Sequence, residues 1–99
     1  MNGWHSKSTD ELCKALLSLE TIEECYSFLE DVCTIKETLD ISQRLSVAKM
    51  LKKGVSYTKI NKETGASAAT ISRVSRCCEY GSGGYDLVIS RCKDEKDAW

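Results

Sequence analysis

The sequence predicts an all-α fold of about six helices in one small domain. Proline is absent from the 99 residues, and alternating runs of β-branched residues, which are typical of strands, are scarce. Apolar residues instead recur every three or four positions, which is the pattern of helices with one buried face. Because a chain of 99 residues buries only a modest fraction of its surface as a monomer, we also expect a homodimer.

The first two helices are predicted from capping signals and apolar stripes. Residues 1–7 show no periodicity and are expected to form a flexible arm. Ser8 or Thr9 is expected to open the first helix, because a hydroxyl acceptor followed by acidic residues favours a helix start. Thr21 and Glu24 have the spacing of a capping box for the second helix. We expect the two stripes to pack between subunits rather than to line a cofactor pocket. Their apolar residues are Leu12, Ala15, Leu16, Leu19, Cys25, Phe28, Leu29, Val32 and Cys33.

A third helix is predicted from Thr34 to Gly54. Glu37 stands three residues after Thr34, so the two residues form a second capping-box pattern. Lys52 and Lys53 fall in the last turn, where cations interact favourably with the helix dipole. Gly54 is suited to end the helix because glycine adopts the left-handed conformation readily.

Residues 57–76 have the pattern of a helix-turn-helix. Gly65 lies where the first helix must end and the chain must turn sharply. Ser67 is placed to cap the next helix with its hydroxyl. An ordinary helical hairpin with a solvated polar face is the alternative interpretation. The apolar positions that would form a shared core are Ile60, Ala66, Ile71 and Val74.

The second helix of this motif is predicted to have a polar and basic outer face. At about 100° per residue, Ile71, Val74 and Cys78 share one side of the helix, which leaves small, hydroxyl and arginine side chains on the other. Small residues let a helix enter the major groove, and Ser, Thr and Arg supply donors to base edges and phosphates. The residues predicted to contact double-stranded DNA are Lys59, Ser67, Ala68, Ala69, Thr70, Ser72, Arg73 and Arg76.

The chain is expected to continue with a turn, a last short helix and a charged tail. Residues 79–85 contain three glycines. Gly81-Ser-Gly-Gly84 within this stretch can be interpreted as an anion-binding nest, but a flexible turn between helices is the favoured interpretation. A helix is predicted over 86–92, and a charged tail over 93–99. The helical domain is therefore predicted over residues 8–92.

Charge is distributed unevenly along the chain, although the formal net charge is only −1. Residues 1–40 hold three lysines and nine acidic residues, and residues 79–99 hold three basic and five acidic residues. Residues 41–78 hold eight lysines or arginines against Glu63 alone. A charge run is usually a solvated face. Because this one coincides with the helix-turn-helix and the helix before it, we expect contacts to DNA phosphates.

The sequence offers little support for catalysis, a metal site or a membrane span. His5 is the single histidine, and no Gly-x-Ser-x-Gly motif or phosphate loop is present, so we predict no enzyme. The six cysteines lack the Cys-x-x-Cys spacing of structural zinc sites. We expect free thiols in a reducing cytoplasm, with a disulfide framework as the alternative. No signal peptide or long apolar run suggests a membrane protein.

Three segments carry a family resemblance. They are Gln43-Arg-Leu-Ser-Val-Ala-Lys-Met-Leu51, Gly65-Ala-Ser-Ala-Ala-Thr-Ile-Ser-Arg-Val-Ser-Arg76 and Cys77-Cys-Glu-Tyr-Gly-Ser-Gly-Gly-Tyr85. They resemble the Trp repressor-like proteins of the YerC/YecD type, and the resemblance extends more weakly over residues 8–92. It implies a homodimer of intertwined protomers, in which N-terminal helices interlock and each helix-turn-helix reads DNA. It also implies a bacterial, cytoplasmic transcriptional regulator.

The resemblance further implies positions for a small-molecule effector. The Trp repressor holds tryptophan with two arginines and a threonine, and the matching positions here are Arg44, Arg73 and Thr34. Val74 stands where the Trp repressor has a glycine against the indole, and Cys77 stands where a serine receives the amine of the ligand. A branched side chain would fill part of the indole space, and a thiol is a poor acceptor. We therefore expect no cofactor, and a protein that works without tryptophan or with another effector.

Three functions follow from these observations. The favoured one is a sequence-specific transcriptional regulator, a repressor, that binds DNA as a homodimer. The second is a metabolite sensor with an amino-acid-like effector near Arg44 and Arg73. The third is a protein-interaction module, in which the acidic residues 1–40 dock a basic partner and the helix-turn-helix serves as scaffold.

Overall fold

The computed structural model describes residues 3–92, and these residues form six helices and no strand. The chain divides into two compact units, Met1–Thr38 and Leu39–Trp99. The predicted all-α fold of about six helices is confirmed. The predicted charged tail lies outside the described residues. The helices are α1 Lys7–Leu17, α2 Ile22–Val32, α3 Ile35–Lys52, α4 Tyr57–Thr64, α5 Ala68–Tyr80 and α6 Gly84–Cys92.

Helix α1 begins earlier than its sequence pattern suggested. Ser6 Oγ accepts a hydrogen bond from the backbone N–H of Thr9 at 3.2 Å. Thr9 Oγ1 accepts one from the backbone N–H of Ser6 at 2.8 Å. Thr9 is therefore the partner of the cap and not the cap, and Lys7 is the first helical residue. The predicted start at Ser8 or Thr9 is wrong because several neighbouring hydroxyls could each have served as the cap.

Helices α2 and α3 begin at the predicted threonines. Thr21 Oγ1 accepts from the backbone N–H of Glu24 at 3.0 Å, but the Glu24 carboxylate accepts from the N–H of Glu20. At α3 the capping box is complete. Thr34 Oγ1 accepts from the N–H of Glu37 at 3.1 Å, and Glu37 Oε1 accepts from the N–H of Thr34 at 2.8 Å. Both caps satisfy backbone donors that have no partner within the helix.

Within the first unit, the apolar faces are largely exposed. None of its described residues is buried. Leu17 is 83% exposed, Ile22 is 71% exposed and Ile35 is 80% exposed. Burying one such side chain stabilises a protein by about 1.5–3 kcal/mol. Burial of these faces would therefore stabilise the protein substantially. Exposed apolar surface of this kind is typical of an interaction site.

The second unit contains a hydrophobic core made by α3, α4, α5 and the turn between α4 and α5. Its six buried side chains are each at most 1% exposed. Partly buried residues around them include Tyr85 and Ile89, so α6 also packs on this core. The core that the sequence predicted for the helix-turn-helix is confirmed, and α3 contributes the remaining two residues. The six are Val47, Ala48, Ile60, Ala66, Ile71 and Val74.

The turn between α4 and α5 is held by its backbone conformation and by side chains. Gly65 ends α4 at φ 77°, in the left-handed region that glycine adopts without steric penalty. Asn61 Nδ2 donates a hydrogen bond to the carbonyl oxygen of Ala66 at 2.8 Å. Gln43 Nε2, from α3, donates to the carbonyl oxygen of Thr64 at 3.0 Å. The turn is therefore tied both to α4 and to α3.

Helix α6 begins at Gly84, two residues before the predicted start at Asp86. The N–H of Leu87 donates to the carbonyl oxygen of Gly83 at 3.0 Å. This hydrogen bond closes the first helical turn, which therefore contains Gly84. The Lys52 ammonium lies 2.7 Å from Asp86 Oδ1 and links α3 to α6. Both side chains are about half exposed, so this ion pair adds little stability. No helix within residues 3–92 is long and apolar enough to span a membrane.

Replacing Gly65 with alanine is expected to lower the free energy of unfolding by about 1–2 kcal/mol, because alanine is strained in the left-handed region. A Cβ at Gly65 meets only Gln43 Nε2, at 3.9 Å, so a clash is not the cause. Gly84→Ala is the matched control, since a Cβ there meets nothing within 4 Å. Urea denaturation of both variants at one protein concentration measures the difference. Equal midpoints for the two would contradict this account of the turn.

Candidate nucleic-acid interface

Helix α5 begins at a serine cap. Ser67 Oγ accepts from the backbone N–H of Thr70 at 3.1 Å and lies 3.2 Å from Thr70 Oγ1. The predicted cap is therefore confirmed. Ala68 and Ala69 follow, and both are exposed. Their small side chains let another molecule approach the N-terminal turn, whose N–H groups and positive dipole end favour a negatively charged group.

The two faces of α5 differ in burial and in charge. Ile71 and Val74 are each only 1% exposed and anchor the helix in the core. Ser72, Arg73 and Arg76 are exposed. The structure thus brings the small and hydroxyl residues of the first turn together with two guanidinium groups on one helix. This arrangement offers hydrogen-bond donors to both base edges and phosphates.

The second half of α5 borders a shallow depression lined by Arg73, Arg76, Cys77, Tyr80 and Gly81. The depression unites a predicted DNA contact, Arg76, with the predicted effector residues Arg73 and Cys77. Tyr80 was absent from the predicted site, although it is 82% exposed. Its position four residues after Arg76 on a helix is the signal that could have found it. Guanidinium groups beside an aromatic ring suit a nucleic-acid backbone or a small anionic ligand.

The structure places Lys59 elsewhere. It lies in a groove between α3 and α4, to which Lys49 and Lys53 also contribute, and no residue of α5 lines this groove. Lys59 Nζ is 3.8 Å from Glu63 Oε2. Partial burial, followed by the charge of Lys53, lowers the pKa of Lys49. The groove therefore concentrates positive charge on a second surface. Its other lining residues are Ser46, Met50, Val55, Thr64 and Glu63, which is the one acidic residue that the described part of the chain contributes to the groove.

Of the four residues that the resemblance assigned to an effector, three belong to the second unit, which brings two of them together. Arg73 and Cys77 share the depression on α5, whereas Arg44 is half-buried on α3 and does not line it. Thr34 belongs to the first unit, where its hydroxyl caps α3. Burial is the main cause that raises the pKa of the Cys78 thiol next to Cys77.

The described part of the chain contains neither a disulfide nor a cluster of metal-ligating side chains. All six cysteines lie within residues 3–92, and no disulfide joins any of them. The same residues contain no group of three or more His, Cys, Asp or Glu side chains that could hold a metal ion.

The sequence of the chain matches a known protein family. The profile of the Trp repressor protein covers residues 7–93. The chain belongs to the Trp repressor family. The uncharacterized protein YerC of Bacillus subtilis (strain 168) is 51% identical to this chain over 88 residues, which span 89% of this chain and 85% of YerC.

Two solved structures resemble this one closely. A TrpR-like protein from Eubacterium eligens ATCC 27750 has 49% identity and a TM-score of 0.88, and the match covers 92% of this chain and 94% of that one. A Trp repressor candidate from Staphylococcus aureus has 48% identity and a TM-score of 0.85, and the match covers 88% of this chain and 87% of that one. The Trp repressor family is a regulatory, DNA-binding family and not an enzymatic one. Membership therefore indicates a helix-turn-helix regulator.

Proposed function

We propose that this protein is a sequence-specific transcriptional regulator that represses its targets as a homodimer. The observation that carries the proposal is the exposed face of α5, on which small, hydroxyl and arginine side chains project from a helix anchored by Ile71 and Val74. A recognition helix must be held firmly on one side and be polar on the other, and α5 meets both conditions. Membership in the Trp repressor family supports the same function.

The side chains of α5 divide into three roles. Ala68 and Ala69 let the helix backbone sink into the major groove. Ser67 and Ser72 offer hydroxyl groups to base edges and phosphates, while Thr70 is half-buried and supports the cap. Arg73 and Arg76 supply charge to phosphates, or bidentate hydrogen bonds to guanine. The serines thus contact base edges near the start of the helix, and the two arginines add contacts to DNA phosphates or to guanine.

Basic residues outside α5 add attraction without sequence preference. Residues 41–78 hold eight basic residues against one acidic residue, and all eight belong to the second unit. The groove with Lys49, Lys53 and Lys59 adds positive charge beside α4. Such a field speeds association with DNA and weakens as salt screens it. We assign Lys59 to this general attraction and not to base contacts.

Dimerisation is the second part of the proposal. The first unit exposes Leu17, Ile22 and Ile35, and none of its described residues is buried. A second copy of the chain offers the same apolar faces, and a two-fold interface pairs each face with its equivalent. Dimeric helix-turn-helix proteins present two recognition helices to two half-sites. The N-terminal helices would therefore serve assembly and the second unit DNA.

We further propose that the regulator works without tryptophan as corepressor. Val74, which stands where the Trp repressor has a glycine against the indole, is only 1% exposed, so neighbouring core side chains already fill the space around it. Cys77 offers a thiol where an acceptor for an amine is needed, and thiols accept weakly. A metabolite sensor remains the second candidate function, because Arg73, Cys77 and Tyr80 border one depression.

The proposed function also implies a location. A transcriptional regulator acts where the chromosome lies, so we propose that the protein works in the cytoplasm.

Arg76→Ala is expected to weaken binding to every duplex and to flatten the dependence of log affinity on log salt by about 0.9 for each phosphate that the variant no longer neutralises. Fluorescence anisotropy with a mixed-sequence duplex at several salt concentrations measures the slope. Arg91→Ala on α6 removes the same charge and is the control. Equal slopes for the two variants would show that the DNA phosphates respond to the total positive charge of the protein and not to the face of α5.

Ala69→Glu is expected to abolish retention of the genomic fragments that the wild-type protein retains, because it places a negative charge on the predicted groove-facing turn. Retained fragments are identified by sequencing, and thermal unfolding verifies that the variant is folded. Ser90→Glu, on the exposed side of α6, introduces the same charge and is the matched control. If the Ala69→Glu variant retained the same fragments as the wild type, α5 would not be the reading helix.

The wild-type protein is expected to sediment as a dimer of twice the chain mass of 11.0 kDa. Leu17→Asp should shift it toward the monomer, because an aspartate in an apolar interface loses its hydration without a partner. Tyr80→Asp is the control, since Tyr80 is equally exposed but lies on α5. Sedimentation equilibrium gives the masses, and circular dichroism reports helix content. A monomeric wild type, or equal dissociation constants for Leu17→Asp and the wild type, would contradict the proposed interface.

A further inference from the structure

We infer that Gln43 is a positioning residue for the DNA-reading helix, which it orients from α3 through the turn between α4 and α5 without touching DNA. The inference rests on the proposed function, because it assigns the source of sequence discrimination to the orientation of α5. The observation behind it is a hydrogen bond from α3 to the turn between α4 and α5, which is separate from the exposed face of α5.

The contact that carries the inference joins residues far apart in sequence. Gln43 Nε2 donates a hydrogen bond to the carbonyl oxygen of Thr64 at 3.0 Å, and both residues are half-buried. Thr64 is the last residue of α4, so its carbonyl has no partner within that helix. The amide of Gln43 supplies that partner in part-buried surroundings. Losing the donor would remove this bond from a part-buried carbonyl, which costs free energy.

The other side-chain bonds at the turn are internal to α4 and the turn. Asn61 Nδ2 donates to the carbonyl oxygen of Ala66 at 2.8 Å. Thr64 Oγ1 donates to the carbonyl oxygen of Ile60 at 2.7 Å and accepts from the N–H of Ala66 at 3.1 Å. These bonds set the shape of the turn. They do not set its orientation relative to α3, whereas the bond from Gln43 does.

Apolar packing alone leaves this orientation loosely defined. Val47 and Ala48 of α3 lie in the same core as Ile60 and Ile71, but hydrophobic attraction has no direction. A hydrogen bond has a preferred length and angle. Base readout requires donors placed to within about 0.5 Å. Because α5 begins at Ala68, four residues after Thr64, a shift of the turn moves the reading end of α5 directly.

Gln43→Met tests the inference, since methionine keeps the length of the side chain but has no N–H group. We expect affinity for the duplex that the wild type prefers to fall about five- to tenfold, in line with the loss of one hydrogen bond. Affinity for a mixed-sequence duplex should stay within about twofold and its salt slope should not change, because no charge is removed. Ser42→Ala, at an exposed neighbour on α3, is the matched control and should match the wild type.

Hydrogen exchange on the free protein gives a second readout that does not depend on DNA. The amides of Gly65 and Ala66 should exchange faster in Gln43→Met than in the wild type, with amides in the middle of α3 unchanged. Unchanged exchange at the turn overturns the inference. So does a parallel fall of affinity for both duplexes. A wild type without any preferred duplex would instead contradict the proposed function, and the exchange result would still decide the role of Gln43.

Discussion

The packing of α3, α4 and α5 around one small core is the constraint on which the rest of the structure depends. Six buried side chains form this core, and none of them is polar. The left-handed conformation of Gly65 allows α4 and α5 to meet there without a long loop. Because Ile71 and Val74 are buried on one side of α5, the arginines and small residues of that helix must lie on the other. The chemistry of the exposed face thus follows from the packing beneath it.

In the proposed dimeric regulator, the two compact units have different tasks. The first unit is acidic, has exposed apolar faces and owes its helix starts to hydroxyl caps. The second unit is basic and contains the buried core. Acidic helices near DNA would repel the phosphates, whereas acidic helices that pack with a second copy keep the basic surface for DNA. In the proposed regulator, the charges are therefore divided along the chain between the unit assigned to assembly and the unit assigned to DNA.

The sequence predicted those features that depend on neighbouring residues. Gly65 and Ser67 were assigned correctly because each acts through its own backbone conformation or through a hydroxyl within one turn. The start of α1 was harder, because several adjacent hydroxyl residues are equally good caps. The groove around Lys59, the exposure of Tyr80 and the bond from Gln43 to the turn depend on which elements pack together. Spacing along a chain does not reveal such contacts, and the DNA contacts themselves stay predictions.

Selection of DNA from a random duplex library tests the central claim most directly. The selection should be made at about 150 mM salt, where screening over about 8 Å suppresses purely electrostatic binding. We expect enrichment of a palindrome whose half-sites lie about one helical turn, or 34–36 Å, or a multiple of it apart, as two symmetry-related recognition helices require. Weak, salt-sensitive retention of all sequences with no enriched motif would contradict a sequence-specific dimeric regulator.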